Sequence, residues 1–509
     1  MTLSDPAAID PSDAVGNDML RVARQVLDAP DLAMTDDFFE AGMTSLTALK
    51  LADEFSEMLG RVVEVADIYH AASVDRVERL STAAAIPAEP GALGISRTQQ
   101  RFWLAEELNP GAADNLIVLA YVVSGPLRPS LLHRAFAGMV ARHPVLRTRY
   151  RQQGIDVVPE VMPVEVAAIT VDIVAPPART TDPHVLAESI TADWWDTPFD
   201  LSRQAPVRAR LCSISATTHL FCIQVHHIAF DGSSERLFID GLGALYRSYL
   251  EGAPDDVSPA ITSASIDQVL RETAAPIDAA GVEFWRRMLA DVPPPVLPAP
   301  ADPAEEADRR ELVRHLPPPL VSALSLAARQ RRAPVIATLL AATARAFGKV
   351  FGAGGTCLGA ITEGHARADV IGCFVNPLAV PLDAVGDRDD AELLDHAVSR
   401  FLPALRYSGI PFDELVRQLK PQRGRHPWFQ TLVVVQYEKP HGELAPGLSI
   451  RSVPIRQPKT AMEFLVQAIP GPDGAWALRL AWRADGCSDA EAGAVGDELC
   501  SALERLAGL

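Results

Sequence analysis

The sequence predicts a small all-α bundle followed by a larger region of mixed α/β structure. At 509 residues the chain exceeds the usual size of a single domain. Apolar residues recur at helical spacing over 14–30, 46–58 and 74–83, which predicts a bundle of about 70 residues. Farther along the chain, helical patterns alternate with short runs of strand-forming residues, so the second region is expected to combine helices and sheets.

A short segment rich in Ala, Pro and Gly, residues 84–93, separates the two regions and is interpreted as a linker. Helical spacing beyond it covers Gln99–Leu108, Leu131–Arg142, Ser234–Leu250, Pro334–Phe351, Ala391–Leu405, Pro411–Leu419 and Ser488–Leu506. The strand candidates are Ile117–Val123, His219–Ile228, Thr431–Tyr437 and Ala475–Trp482. The Pro-rich interval 291–310 is expected to cross the surface in an extended conformation.

The charge of the chain argues against nucleic-acid binding, because the formal net charge is −19. Residues 1–84 hold 16 acidic and 6 basic side chains, so the first region is the more acidic one. Such a surface suits guided docking on basic partners, and it serves solubility equally well.

The sequence shows no apolar run near the roughly 20 residues that span a bilayer, and its first residues do not resemble a signal peptide. We therefore expect no membrane association and a cytoplasmic location. The six cysteines contain no CxxC pair, so neither a metal site nor a disulfide framework is expected.

Ser45 lies where a loop enters an amphipathic helical segment. Serine is a common helix N-cap, and that interpretation suffices for the local sequence alone. A helix N-terminus also stabilises an attached phosphate through its free N–H groups and dipole. Ser45 is therefore a candidate attachment residue as well as a candidate cap.

Two adjacent histidines, His226 and His227, end an apolar strand pattern. Alternation places His227 on the Phe221/Ile223/Val225 face and His226 on the other face, so the pair cannot ligate one metal ion together. A neutral imidazole can accept or orient a proton near neutral pH. A buried structural histidine is the alternative for either residue.

These segments resemble two known families. The run D-D-F-F-E-A-G-M-T-S-L, Asp36 to Leu46, is similar to the core motif of peptidyl carrier domains, with Met43 in place of a second glycine. The run H-H-I-A-F-D-G, His226 to Gly232, resembles the H-H-x-x-x-D-G signature of condensation domains of nonribosomal peptide synthetases.

The resemblance implies a four-helix carrier bundle at 12–83. It implies a chloramphenicol-acetyltransferase-like α/β domain of two similar halves, at 94–265 and 266–509. By the resemblance, Ser45 carries 4′-phosphopantetheine and His227 positions or deprotonates an amine that attacks a thioester. His226 is expected to support local structure and Asp231 to pair with an arginine, for which Arg367 is the candidate. Gly232 is expected to let the loop turn and to bring a backbone N–H near the reacting carbonyl.

Further segments follow the order of the condensation family. They are Ser96–Trp103, Arg142–Thr148, Ile371–Asn376, Ile410–Asp413 and Arg425–Gln430. The sequence departs from the family pattern at Pro144, Ser233, Tyr407 and His365. These departures bear on substrate preference more than on reaction type.

The implied partners are aminoacyl or peptidyl thioester substrates, an upstream adenylation domain, a downstream acceptor carrier and a phosphopantetheinyl transferase. Two other functions stay open. An epimerization domain shares the fold and the histidine motif, and Glu363-Gly364-His365 resembles a segment of that family. A non-catalytic recruitment domain also shares the fold, but the intact His226, His227 and Asp231 argue against it.

Overall fold

A computed structural model describes residues 11–43, 45–59, 63, 65–79, 95–153, 156–167, 169–176, 180–253, 277–298, 306–363, 370–383, 385–421, 428–436 and 441–508. Within these ranges no helix is both long and apolar enough to cross a membrane. The expected linker at 84–93 and the expected boundary between the halves near 265 lie outside the described residues.

In its described residues the first region consists of four helices joined by loops. Its helices are α1 (Pro11–Val26), α2 (Ser45–Leu59), α3 (Val65–Ala71) and α4 (Val74–Arg79). The apolar faces of α1 and α2 meet over a core that includes Met19, Leu51 and Phe55, each fully buried. Burying each such side chain contributes roughly 1.5–3 kcal/mol, which is how so small a bundle offsets its ordering entropy.

The first half of the larger region is built on a mixed sheet with helices on both faces. Its helices are α5 (Arg97–Leu108), α6 (Pro129–Arg142), α7 (Val164–Ala167), α8 (Pro183–Thr191) and α9 (Gly232–Leu250). Its strands are β1 (Leu116–Ser124), β2 (Thr148–Gln153), β3 (Asp156–Val161), β4 (Val171–Val174), β5 (Val207–Ser213) and β6 (Thr218–His226). β2 and β3 form a separate hairpin, whereas β1, β6, β5 and β4 are neighbours in that order.

Both faces of this first sheet are buried, which explains the near-continuous apolar runs of β1 and β6. On one face α6 and α9 pack against the sheet, with Phe136 between Phe221 and Phe238. On the other face α8 covers Leu220 and Cys222. β6 is thereby held rigidly up to its last residue, His226.

The second half repeats the architecture on a second sheet. Its helices are α10 (Ala279–Met288), α11 (Pro318–Gln330), α12 (Ile336–Phe351), α13 (Asp390–Arg406), α14 (Phe412–Leu419) and α15 (Asp489–Leu506). Its strands are β7 (Ala307–Leu316), β8 (Thr356–Glu363), β9 (Val375–Leu382), β10 (Thr431–Val435), β11 (His441–Ala445), β12 (Leu448–Val453), β13 (Lys459–Thr460), β14 (Phe464–Pro470) and β15 (Trp476–Arg483). The strand order in the second sheet is β13-β7-β15-β14-β10-β8-β9.

The two halves are interleaved. β11 and β12 leave the second half and extend the first sheet, where Val453 of β12 lies opposite Ala120 of β1 in antiparallel register. The chain then returns through β13, and Asp114 of the first half accepts the backbone N–H of Ala461 at 2.7 Å. These connections fix the seam between the halves, where β6 ends and β9 begins close to His227.

Candidate functional site

The predicted attachment residue, Ser45, begins helix α2 at the end of a loop anchored on the bundle core. The backbone N–H of Phe38 donates to Ala72 O at 2.8 Å, and that of Met43 donates to Phe38 O at 2.9 Å. Phe38 is 0% exposed and Met43 is 5% exposed. Met43 therefore replaces the glycine of the carrier motif as a packed core residue.

The surroundings of Ser45 suit a phosphodiester. Gly42, with φ of 89°, adopts a left-handed conformation, and a Cβ at this position would meet no described atom within 4 Å. The first turn of α2 carries no acidic side chain, so its N–H groups and dipole are not opposed by negative charge. The side chain of Ser45 itself lies outside the described residues.

The histidine pair spans the end of a strand. β6 ends at His226, and His227 begins a short 3₁₀ turn that runs to Ala229. The predicted strand continued to Ile228, with His227 on the same face as Val225. Because the strand ends one residue earlier, the turn and not strand alternation sets the direction of His227.

His226 is held in a buried polar cluster. Its Nδ1 accepts the Ile228 N–H at 3.1 Å, so its protonated Nε2 donates to Glu106 Oε2 at 3.2 Å. Glu106 also accepts from Gly111 N at 2.8 Å and from Asn115 Nδ2 at 3.0 Å. Burial alone would raise the pKa of Glu106, but the hydrogen bonds from His226, Gly111 and Asn115 outweigh it and lower that pKa.

His227 has a different environment. Its ring stacks on Phe102 with centroids 4.6 Å apart and planes 10° apart, and its Nδ1 lies 3.5 Å from the sulfur of Cys373. Burial lowers the pKa of His227 to about 4, and repulsion from His226 and Arg101 acts in the same direction. The imidazole is therefore neutral at pH 7.

Asp231 joins the two halves of the region. Its Oδ1 accepts from the Ser233 hydroxyl at 2.8 Å and from Ser234 N at 3.2 Å, which caps α9. Its Oδ2 accepts the N–H of Phe374, from the second half, at 2.9 Å. Burial raises the pKa of Asp231, and these hydrogen bonds partly oppose the rise.

The predicted arginine partner of Asp231, Arg367, lies outside the described residues. Among the described residues, the groups that bind the Asp231 carboxylate are hydroxyls and backbone N–H groups, not an arginine. Gly232, which was expected to let the loop turn, is the first residue of α9, and its φ is not left-handed. A Cβ at Gly232 would meet no described atom within 4 Å, so this glycine leaves space at the site.

Helix α5 carries the opening motif of the region and binds both halves. Arg97 forms an ion pair with Glu414 of α14 at 2.9 Å, and Arg101 donates to Val375 O at 3.4 Å. Gln99 donates to Ile228 O at 3.4 Å, beside His227. Arg97 and Arg101 lie one turn apart and reach the second half, whereas Gln99 projects from the other side of the helix to the first half. Helix α5 is thereby held between the two halves, with Phe102 against the imidazole.

Asn376 connects two of the motifs that were identified separately in the sequence. Its side-chain amide donates to Ser408 O at 2.7 Å and to Ile410 O at 2.9 Å, while its Oδ1 accepts the Phe412 N–H at 2.9 Å. The I-G-C-F-V-N segment and the P-F-D segment are therefore one structural unit beside the site.

The structure thus gathers His226, His227, Asp231 and Gly232 at one seam, whereas Ser45 lies in the helical bundle. Sequence reasoning gave no role to Phe102, Cys373 or Glu106. Phe102 and Cys373 lie inside recognised motifs. Their positions indicated that they lie near the site, but not that they contact His227. Within the described residues, no group of three or more His, Cys, Asp or Glu side chains is arranged to hold a metal ion.

Comparison with known proteins identifies both regions. The family model of the condensation domain matches residues 91–508, and that of the phosphopantetheine attachment site matches residues 17–80. The chain is 28% identical over 439 residues to phosphinothricin tripeptide synthetase PhsB of Streptomyces viridochromogenes, and this match covers 81% of the chain and 36% of PhsB. It is 30% identical over 395 residues to an isonitrile lipopeptide synthase of Mycobacterium tuberculosis, covering 74% of the chain and 15% of that protein.

Both relatives are much longer than this chain, which matches about one third or less of their length. Solved structures share the fold at low identity. The first condensation domain of the calcium-dependent antibiotic synthetase superposes with a TM-score of 0.69 at 19% identity, covering 83% of this chain and 98% of that one. The X-domain from teicoplanin biosynthesis superposes with a TM-score of 0.68 at 21% identity, covering 83% of this chain and 96% of that one.

These matches confirm the predicted fold class, a helical carrier followed by a chloramphenicol-acetyltransferase-like α/β domain. They confirm the expected cofactor class, since residues 17–80 match a phosphopantetheine attachment site. None of the matches reported above favours the epimerization alternative. The chain belongs to the condensation-domain family of nonribosomal peptide synthetases, with a phosphopantetheine carrier domain preceding the condensation domain.

Proposed function

We propose that this chain forms an amide bond between a donor acyl group attached through Ser45 and the amine of an aminoacyl acceptor. The observation that carries the proposal is the environment of His227, a neutral imidazole stacked on Phe102 at the seam of the two halves. The upstream match to a phosphopantetheine attachment site supports Ser45 as the donor attachment point. When bound, that group supplies the thiol that holds the donor as a thioester.

His227 is proposed to hold and deprotonate the acceptor amine. Its Nδ1 lies beside Cys373, and in the tautomer with the proton on Nδ1 the lone pair on Nε2 is the one offered to the amine. As the new C–N bond forms, the amine nitrogen becomes positively charged and strongly acidic. Burial keeps the imidazole unprotonated beforehand, so its lone pair is available to take this proton. The C–S bond of the thioester breaks as the amide forms, and the proton would pass to the departing thiol.

Asp231 and Gly232 are proposed to shape the site around the reacting carbonyl. Asp231 fixes the start of α9 and binds Phe374 N, which keeps the two walls in register. Gly232 leaves open space where a side chain would project, so a donor can approach the backbone at this point. A contribution of the Gly232 N–H to the developing oxyanion is consistent with this position.

The proposed partners follow from the chemistry. A phosphopantetheinyl transferase would modify Ser45, an adenylation domain would supply the activated donor, and a separate carrier would present the acceptor. We place the reaction in the cytoplasm. All six cysteines are free thiols and five are buried, which suits a reducing compartment.

The test is to load the full chain at Ser45 with an aminoacyl group of known configuration and to add an aminoacyl acceptor carrier. Intact-mass analysis should show transfer of the donor to the acceptor, and chiral analysis should show unchanged donor configuration when the acceptor is omitted. Ser45→Ala should abolish loading. Inversion of the donor without acceptor, and no transfer with it, would replace the proposal with epimerization.

A further inference from the structure

The carrier bundle contacts the condensation domain through a defined surface on the second half. Helix α3 of the carrier packs against helix α13, and the Oδ2 of Asp37 lies 2.8 Å from Nη2 of Arg332. Asp37 belongs to the loop that leads into α2 and its first residue, Ser45. Arg332 lies in the turn between α11 and α12. This contact therefore joins the attachment loop directly to the condensation domain.

Asp37 is preorganised for this ion pair. Its Oδ1 accepts the Phe39 N–H at 2.8 Å, which fixes the rotamer and leaves Oδ2 directed at Arg332. The next residue, Phe38, donates its N–H to Ala72 O at the end of α3. The loop and α3 are consequently one rigid surface, so a contact made by Asp37 also orients α3.

On the condensation domain, the surface that receives the carrier is a basic turn. This turn is anchored on α13, the same helix that α3 contacts. Arg332 adopts φ of 50°, and its N–H donates to Arg329 O at 2.9 Å, which closes the turn. The neighbouring Arg331 pairs with Asp395 of α13 at 2.8 Å. Arg329, Arg331 and Arg332 thus present positive charge to a carrier that has ten more acidic than basic residues over 1–84.

The surface formed by Arg332 and α13 belongs to the second half, which also supplies Cys373 and Phe374 to one side of the candidate active site. α13 packs on β9, and β9 starts directly after Cys373 and Phe374, which contact His227 and Asp231. Most exposed ion pairs contribute little to stability. A pair at a domain joint acts differently, because it selects one orientation and speeds its formation.

We propose that the Asp37–Arg332 ion pair and the α3–α13 contact form the docking surface that holds this chain's own carrier while it delivers the donor. This inference rests on the proposed function, since delivery has a meaning only if Ser45 carries the donor. Because the carrier is tethered, its effective concentration is high, and loss of one docking contact slows delivery without abolishing it.

The test compares two donors in the 509-residue chain. One donor is an aminoacyl group loaded on Ser45, and the other is the same group as a small soluble thioester that needs no carrier docking. We expect Arg332→Glu to slow amide formation from the Ser45-loaded donor by about three- to tenfold at low salt. The rate from the soluble donor should stay at the wild-type value.

Two variants control for charge and for folding. Arg329→Glu makes the same change of charge three residues earlier. It should slow delivery less than Arg332→Glu does, because the ion pair with Asp37 is made by Arg332. The exchange Asp37→Arg with Arg332→Asp restores an ion pair of opposite polarity and should recover at least half of the lost rate. An Arg332→Glu chain that delivers the loaded donor at the wild-type rate, or that slows both donors equally, would overturn the docking surface.

A structural measurement separates this inference from the proposed function. Small-angle X-ray scattering of the full chain at about 0.05 M and about 0.5 M salt reports docking without any catalysis. Arg332→Glu should increase the radius of gyration at low salt to the value that the wild type reaches at high salt. An unchanged radius would refute docking through Arg332, whereas absent amide product from both donors in the wild type would refute the proposed function alone.

Discussion

The two neighbouring histidines lie in opposite environments. His226 is fully buried and donates to a carboxylate, Glu106, which is itself held by Gly111 and Asn115. His227, one residue later, meets an aromatic face and a thiol and no carboxylate among its described contacts. A one-residue step across the end of β6 therefore separates an imidazole paired with a carboxylate from one that is stacked on an aromatic ring, and we propose only the second for catalysis.

The difference arises because the strand ends between the two histidines. His226 is the last residue of β6 and His227 is the first residue of the 3₁₀ turn, so their side chains enter different surroundings. His226 donates its Nε2–H to Glu106, and its Nδ1 accepts the Ile228 N–H. Both nitrogens of His226 are therefore engaged within the protein. Within the described part of the chain, His227 makes no such pair of contacts to a carboxylate and the Ile228 N–H, and in the proposed mechanism one of its nitrogens serves the substrate.

The largest expected effect is the loss of activity on removal of the His227 imidazole. His227→Ala should lower the rate of amide formation by about 10²- to 10⁴-fold, since proton transfer by a positioned side chain contributes that much. Thermal unfolding should change little, because His227 makes no buried ion pair among the described residues. Single-turnover transfer from the loaded chain measures the rate, with the exposed His315→Ala of β7 as the control. A full rate in His227→Ala would refute its role.

The second effect is a loss of stability at His226. His226→Ala removes one of the three donors to the buried Glu106 carboxylate, which should lower the free energy of unfolding by about 1.5–3 kcal/mol. His219→Ala is the matched control, because His219 is a buried histidine on the same strand that pairs with the Ser213 hydroxyl at 3.0 Å. Urea unfolding should show a loss at His219 of about half that at His226 or less. Equal losses would mean that the Glu106 pair contributes nothing beyond packing.

The sequence alone predicted the elements whose patterning is local. β1 and most of β6 were predicted because both are long apolar runs, and α9 and α15 because their helical spacing is regular. Helix α11 was not predicted; it starts in a run of prolines, which carries no helical spacing although proline suits the first turn of a helix. β7 was missed because its sequence, ADRRELVRHL, is charged and only half-buried.

The site could be predicted in its parts but not in its contacts. Motif resemblance singled out His227 and Asp231. No local pattern could show that Phe102 stacks on His227 or that the N–H of Phe374 donates to Asp231. Those contacts join positions more than 120 residues apart in the chain. The end of β6 at His226 was also beyond local reasoning, since the apolar alternation continues through Ile228.

The third prediction concerns the protonation of His227. Burial lowers the pKa of its imidazole to about 4, so this residue should stay neutral as the pH falls from 8 to 5. The unfolded chain takes up this proton near pH 6.5, so the contribution of His227 to stability is present above that pH and is lost as the pH falls toward 4. NMR titration of ¹³C-labelled histidine, with His227→Ala to assign the signal, measures the pKa.

Phe102→Ala tests whether burial lowers the pKa of His227, because removal of the stacked ring admits water to the imidazole. The pKa of His227 should then rise toward 6.5. Phe284→Ala removes a partly buried ring that packs beside Tyr407 instead, so it should leave the titration of His227 unchanged. A His227 midpoint near 6.5 in the wild type would contradict the environment described above.

The smallest expected effect is at Cys373, the second neighbour of the His227 ring. Burial raises the pKa of this thiol, so it remains protonated and contacts Nδ1 as a weak hydrogen-bonding group. Cys373→Ala should lower kcat by about two- to fivefold with little change in KM, because the ring loses one orienting contact. Cys373→Ser should recover most of the rate, whereas Cys357→Ala, which removes a buried thiol from β8, should have no effect on it. If Cys373→Ala changes neither kcat nor the titration of His227, Phe102 and the turn suffice to orient the imidazole.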